Sequence, residues 1–160
     1  MRRRALLAST VPVVGGGCLS RVPTSRFASH PTPTELTASA LNRIDEDESE
    51  EVPDTDEPPT TSFDEAESTA QLVGTVSYAS TTCGDISLSS AQYDADEAMC
   101  TVRVVGTRNA PSTEQECTAD IAVGSYRVTL EFDDGVPERI EAIESGPDGT
   151  QETEETYSRV

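Results

Sequence analysis

Ser125-Tyr126-Arg127-Val128-Thr129-Leu130-Glu131-Phe132-Asp133-Asp134-Gly135 is the stretch from which the fold can be read. Tyr126, Val128, Leu130 and Phe132 occupy every second position, with Arg127, Thr129 and Glu131 between them. Successive side chains of a strand leave opposite faces, so this period of two marks a strand with one face buried. Asp133-Asp134-Gly135 supplies a turn, and a returning strand over 137–143 puts Val136, Ile140 and Ala142 on the same inner layer.

Outward from this pair, the same alternation recurs between turn residues and predicts strands over 72–79, 86–93, 98–107, 117–123 and 125–132. Cys100, Val102 and Val104 continue the inner face, as do Cys117, Ala119, Ile121 and Val123. The expectation is one mainly β domain over 71–145, a small antiparallel β-sandwich or curled sheet of about six strands. A core of this size is marginal, so a covalent staple would help it.

The cysteines supply a candidate. If 86–93 and 98–107 form a hairpin around Asp94–Glu97, Cys83 falls near Arg108, at the end opposite the turn. Cys100 falls near Ala91, roughly eight residues from Cys83 at about 3.3 Å each, beyond a disulfide's reach of about 7 Å. The chain re-enters at that open end through Cys117, so the expected bond is Cys83–Cys117, with Cys100 a buried thiol. A metal site is the rival, but there is no CxxC pair and the domain has no histidine.

At the other end of the chain, Arg2-Arg3-Arg4 precedes a mildly apolar run and then Gly15-Gly16-Gly17-Cys18. Charged start, short apolar stretch and small residues in that order read as an export signal over 1–18. Arg3-Arg4-x-Leu6-Leu7 resembles the twin-arginine motif, and Gly-Gly-Cys resembles the end of a lipobox, with Cys18 as the lipidated residue. Gly15 stands where lipoboxes usually carry Leu or Val, so cleavage without lipid is the alternative. A permanent span needs about 20 apolar residues, roughly twice this run.

Residues 19–70 are Ser, Thr, Pro and acid with few large apolar side chains, and are expected to be a disordered tether. Within it, short helices are conceivable over 35–44 and over 63–72, the second behind the capping-box pattern Ser62-x-x-Glu65. The tail 146–160 is also read as disordered.

The chain carries 30 acids, 11 arginines and no lysine, for a net charge of −19. From Cys18 onward the arginines fall to 8 and the net charge is −22. Such a surface repels nucleic acid and anionic headgroups. Histidine-based catalysis is excluded from the domain, because the one histidine, His30, lies in the tether. Sugar cleavage needs a cleft with aromatic walls, and the domain's aromatics are few. Asp94-x-Asp96-Glu97 and Asp133-Asp134-Gly135 have calcium-ligand chemistry, yet both fall where turns are expected.

Abundant acid, absent lysine, few aromatics, the twin-arginine-like leader and the lipobox-like cysteine together resemble lipoproteins of haloarchaea. Cys83-Gly84-Asp85-Ile86, Cys117-Thr118 and Phe132-Asp133-Asp134-Gly135-Val136-Pro137 are similar to small exported domains of those organisms. That resemblance implies export to the outer face of the cell membrane and an anchor on Cys18, and it carries over no catalytic residue. A halocyanin-like blue-copper carrier shares the leader and tether, but its two histidine ligands are missing from the domain.

The expected function is a non-enzymatic, lipid-anchored cell-surface β domain serving as an envelope or interaction module. Its partners would be the membrane, through Cys18, and a protein at the cell surface. No catalytic, cofactor-binding or metal-ligating set is expected. The alternative is an accessory or ligand-binding lipoprotein of a transport or redox system. Replacing Arg3 and Arg4 with Lys should block export, measured as loss of surface display; unchanged display removes the twin-arginine reading.

Overall fold

The computed structural model describes residues 31–45, 52–109 and 116–156. The leader, with Arg3, Arg4 and Cys18, lies outside them. Eight strands run in chain order: β1 (Leu36–Ile44), β2 (Thr60–Asp64), β3 (Thr69–Ala79), β4 (Gly84–Asp94), β5 (Met99–Arg108), β6 (Ile121–Phe132), β7 (Arg139–Gly146) and β8 (Gly149–Thr156). They form two four-stranded sheets, ordered β1-β6-β3-β2 and β4-β5-β7-β8, which pack without closing into a barrel. No helix occurs among the described residues.

The alternation along β6 sets the core. Tyr126, Val128, Leu130 and Phe132 are buried and meet Cys100, Val102 and Val104 of β5 and Ile140 and Ala142 of β7 in one cluster. Ala70, Leu72, Val76 and Tyr78 of β3 and Ile86 of β4 complete it. Burying a side chain of this size stabilises by about 1.5–3 kcal/mol, which is what the acidic, weakly apolar chain has to set against its conformational entropy. Tyr93 packs its ring edge-on to Phe132, centroids 5.6 Å apart, joining the sheets at one end.

The structure corrects several expectations. The strand expected over 117–123 and the one over 125–132 are a single strand, β6, which runs through Gly124. Because the period is unbroken, even-numbered residues face inward throughout, and Ile121 and Val123 face out, 55% and 53% exposed. Asp133-Asp134-Gly135 does not close a hairpin: it carries the chain to the other sheet, where β7 lies parallel to β5. The sandwich is therefore antiparallel in all pairings but that one.

Three strands fall in segments expected to be disordered or helical. β1 pairs with β6, and a register shift between Leu36 and Ala38 lets Leu36 lie opposite Phe132 and Leu41 opposite Val128. Without that bulge, apolar residues five apart could not share a strand face. The Ser62 capping box gives way to a hairpin: Asp64 Oδ1 accepts the amides of Ala66 (3.0 Å) and Glu67 (3.2 Å). Asp94 does the same for Asp96 (2.9 Å) and Glu97 (3.2 Å) in the β4–β5 turn. Both turns end on a left-handed residue, Ser68 (φ 54°) and Ala98 (φ 50°). The tail supplies β8, a Thr/Glu strand laddered on β7, so the folded unit exceeds 71–145 at both ends.

Pro31–Glu35 is fastened to the β6–β7 connection. Asp133 Oδ1 accepts the amides of Thr34 (2.9 Å) and Glu35 (3.1 Å), and Oδ2 accepts the Thr34 hydroxyl. The Tyr93 hydroxyl donates to the Pro33 carbonyl at 3.0 Å. These bonds, the Thr34 hydroxyl first, hold the Asp133 carboxyl down to about 2. A depressed carboxylate stabilises the folded form above its unfolded pKa and loses that contribution as protons return. The protection of the Thr34 and Glu35 amides, their exchange rate relative to that of the free peptide at the same pH, should therefore hold above pH 4 and fall as pH drops from about 4 to about 2. Asp133→Asn should flatten that dependence; an unchanged profile would show that Asp133 does not control the clasp.

Candidate functional site: the disulfide-stapled pole

β4 and β5 pair with Gly84 opposite Arg108, and Leu88 to Ser90 holds a register shift. Cys83 thus lies at the open end of the hairpin, where its carbonyl accepts the Asn109 amide at 2.8 Å. Cys117 reaches it there: Cys83 and Cys117 are disulfide-bonded, with Cα atoms 5.4 Å apart. Cys100 is a free, fully buried thiol whose pKa burial pushes up to about 12.

Around the bond, two hydroxyl-rich segments interlock. Ser80 is buried with φ 77°, a left-handed conformation that costs a non-glycine residue about 1–2 kcal/mol. Its bonds offset that: its amide donates to Asp120 O (2.7 Å), its carbonyl accepts from Gly84 N (2.7 Å), and its hydroxyl accepts from Cys83 N (3.1 Å). The same hydroxyl lies 3.0 Å from that of Thr118. Asp120 accepts the amide (3.1 Å) and the hydroxyl (2.8 Å) of Thr81. The hydroxyl of Thr118, then the amide and hydroxyl of Thr81, keep the Asp120 carboxyl down to about 2.

Next to this network, β1 stops at Ile44, opposite Ser125, so among the described residues β6 has no neighbour on that side from Ile121 to Gly124. Ile121 and Val123 stand on this overhang. The Arg43 guanidinium closes the adjacent gap between the sheets. It sits 5.2 Å from the Tyr78 ring centre and donates to the Tyr78 hydroxyl (3.2 Å) and Asp85 (3.5 Å). The pole therefore offers two aliphatic side chains, a strand edge that no described strand covers, and a rim of hydroxyls and carboxylates.

No family model, curated protein or solved structure matches the chain. The site is argued from its own geometry. Of the residues singled out in the sequence, Cys83 and Cys117 meet, and Cys100 stays apart in the core. Asp94 and Asp133 spend carboxylate oxygens on backbone amides, Asp94 in its own turn and Asp133 on Thr34 and Glu35. Missed in the sequence were Ser80, Thr81, Thr118 and Asp120; the signal was the clustering of Ser and Thr beside both bonded cysteines.

Also missed was Glu144, which continues the inner face of Ile140 and Ala142 and is buried against Tyr126, whose hydroxyl donates to its Oε1 at 2.6 Å. Burial raises the pKa of both groups, and for Tyr126 the negative charge of Glu144 adds to it. Beside Glu144 lies a cavity of about 140 Å³. Sites for organic ligands run to about 300–1,000 Å³, so this one suits water.

Closing a loop of 34 residues is worth roughly 3–4 kcal/mol in the chain-entropy model. Cys83→Ser and Cys117→Ser should each lower stability by about 2–5 kcal/mol, and the double change by little more, since one bond is lost in all three. Cys100→Ala should cost roughly 1 kcal/mol through a small cavity. Denaturant midpoints check this; additive losses at Cys83 and Cys117 would refute a shared bond.

Proposed function

We propose that the chain is a non-enzymatic display module, exported and held by lipid on Cys18, that presents its disulfide-stapled pole to a protein partner at the cell surface. The observation that carries this is the opposition of the two ends. The segment leading back to Cys18 is clasped by Asp133 after the last residue of β6, and the stapled network meets the first. β6 has 12 residues, so the two poles stand about 36 Å apart at ~3.3 Å per residue.

A disulfide is compatible with an oxidising, extracellular setting. No helix of the described residues is long and apolar enough to cross a membrane. On this reading the anchor is the lipid, and residues 19–30, which carry Arg21 and Arg26 and no acid, act with it as a spacer.

Cys18→Ser should move the protein from the membrane to the medium or leave an unprocessed precursor. A photo-crosslinker at Val123 should then form protein adducts on intact cells, whereas one at Glu131, at the clasped end, should not. Membrane retention of Cys18→Ser at mature size, or equal crosslinking from both positions, would overturn the proposal.

A further inference from the structure

Where β1 ends, β6 runs on. Ile44 opposite Ser125 is the last pair of that ladder, whereas β3 stays paired with β6 down to Ile121. Among the described residues, Ile121–Gly124 is therefore paired along one edge only. In an antiparallel ladder alternate residues turn their N–H and C=O groups to the same side, so two of these four residues offer both groups to an incoming backbone.

Side chains mark the same place. Ile121 and Val123 are the exposed large hydrophobics among the described residues. Ile44, opposite Ser125, continues their face. On the inner side, a Cβ on Gly124 would come within 2.8 Å of the Arg43 guanidinium and of Ile86 Cδ1. An added strand thus finds its apolar contacts on the outer face and packed side chains on the inner one.

Charge selects the occupant. The chain leaves β1 as Asp45-Glu46-Asp47-Glu48-Ser49-Glu50-Glu51, an acidic run that starts beside Gly124. Asp120 precedes Ile121 at the other end, and hydrogen bonds from Thr118 and Thr81 keep its carboxyl ionised. Arg43 is already engaged by Asp85 and the Tyr78 hydroxyl. A second copy would bring the same acids to the same edge, so like charge opposes self-pairing, as it opposes nucleic acid and anionic lipid. A segment with cations at its ends meets opposite charge at both.

We propose that the β6 overhang takes an extended segment of the partner protein as an added strand, with apolar side chains at alternate positions beside Ile121 and Val123 and Lys or Arg at its ends, against Asp45 and Asp120. The proposal rests on the reading of this pole as the surface presented to a partner, and it gives that partner's chemistry. Main-chain bonds supply affinity, and side chains at alternate positions supply selectivity. The overhang is about 13 Å long at ~3.3 Å per residue, so a segment of about six residues covers it with its charged ends.

The test uses the full purified chain and the acetylated, amidated peptide Lys-Val-Thr-Val-Thr-Lys at an ionic strength of about 0.15 M, where the screening length is about 8 Å. At a tenfold excess over its dissociation constant, the peptide should slow amide exchange about tenfold at alternate residues of Ile121–Gly124. The amides of β8, an acidic edge without exposed apolar side chains, should be unchanged. Replacing both peptide Lys by Glu should weaken binding about tenfold. Val123→Glu should remove the protection while the Val128 and Leu130 amides stay as slow as in the native chain, because Val123 is exposed.

Overhang amides that are already slow without peptide, at every chain concentration or only at high ones, would mean that the chain itself or a second copy covers the edge, and would overturn the proposal. Equal slowing on β8, or protection that survives Val123→Glu, would refute it as well. Crosslinking from Val123 on cells without peptide protection would keep the pole as an interaction surface and reject strand addition. Peptide protection without surface display would instead sink the display reading and leave the edge site standing.

Discussion

The two-residue period of β6 is the constraint on which the rest depends. Four large inward side chains, from Tyr126 to Phe132, fix its face, and both edges are paired where they lie, to β1 and to β3. A slip of one residue would turn all four to water, so the register of both neighbours is specified by burial rather than by their own sequences. The Tyr126–Glu144 pair inherits its position from the same register. Tyr126 lies opposite Gly74, the residue on β3 with no side chain to obstruct it.

How far this was legible in the sequence depended on where each segment's energy comes from. The Cys83–Cys117 bond could be deduced because the Asp94 turn sets a hairpin register that the bulge at Leu88–Ser90 shifts only slightly. β1 could not, because an edge strand with mostly exposed side chains is held chiefly by its backbone ladder, which leaves little pattern in residue type. Ser62-x-x-Glu65 read as a helix start, yet Asp64 caps its own turn and pairing with β3 outweighs a weak local propensity. The inward assignment of Ile121 and Val123 fails because one unbroken period runs from Ile121 to Phe132 and carries the odd-numbered residues to the outer face. Glu144 was open to discovery, since Ile140, Ala142 and Glu144 share a face, but an acid on an inner face is easily passed over in a chain so rich in acid.

The acids divide into two kinds. Asp64, Asp94, Asp120 and Asp133 hold backbone amides and so take part in defining turns and clasps. The glutamates of β8 instead face water along a sheet edge, where their charge discourages a second chain from adding to the ladder. A high negative charge is thus compatible with a compact fold, because these four carboxylates are met by backbone N–H groups, while Asp85 and Glu154 pair with Arg43 and Arg139.

The antiparallel run of β1 along β6 has a mechanical side. Load entering at Pro31, while the far pole is gripped, acts along the strand axis once the Asp133 clasp yields. The β1–β6 hydrogen bonds then share the force in shear, instead of opening one after another as a zipper does. Pulling the same segment against the end of β8 loads the chain quite differently, for Thr156 lies beside Arg139, at the end where β1 begins. There the ladder would peel from its end. The domain is thus built to resist tension that runs through its length and to give way to tension applied across one end.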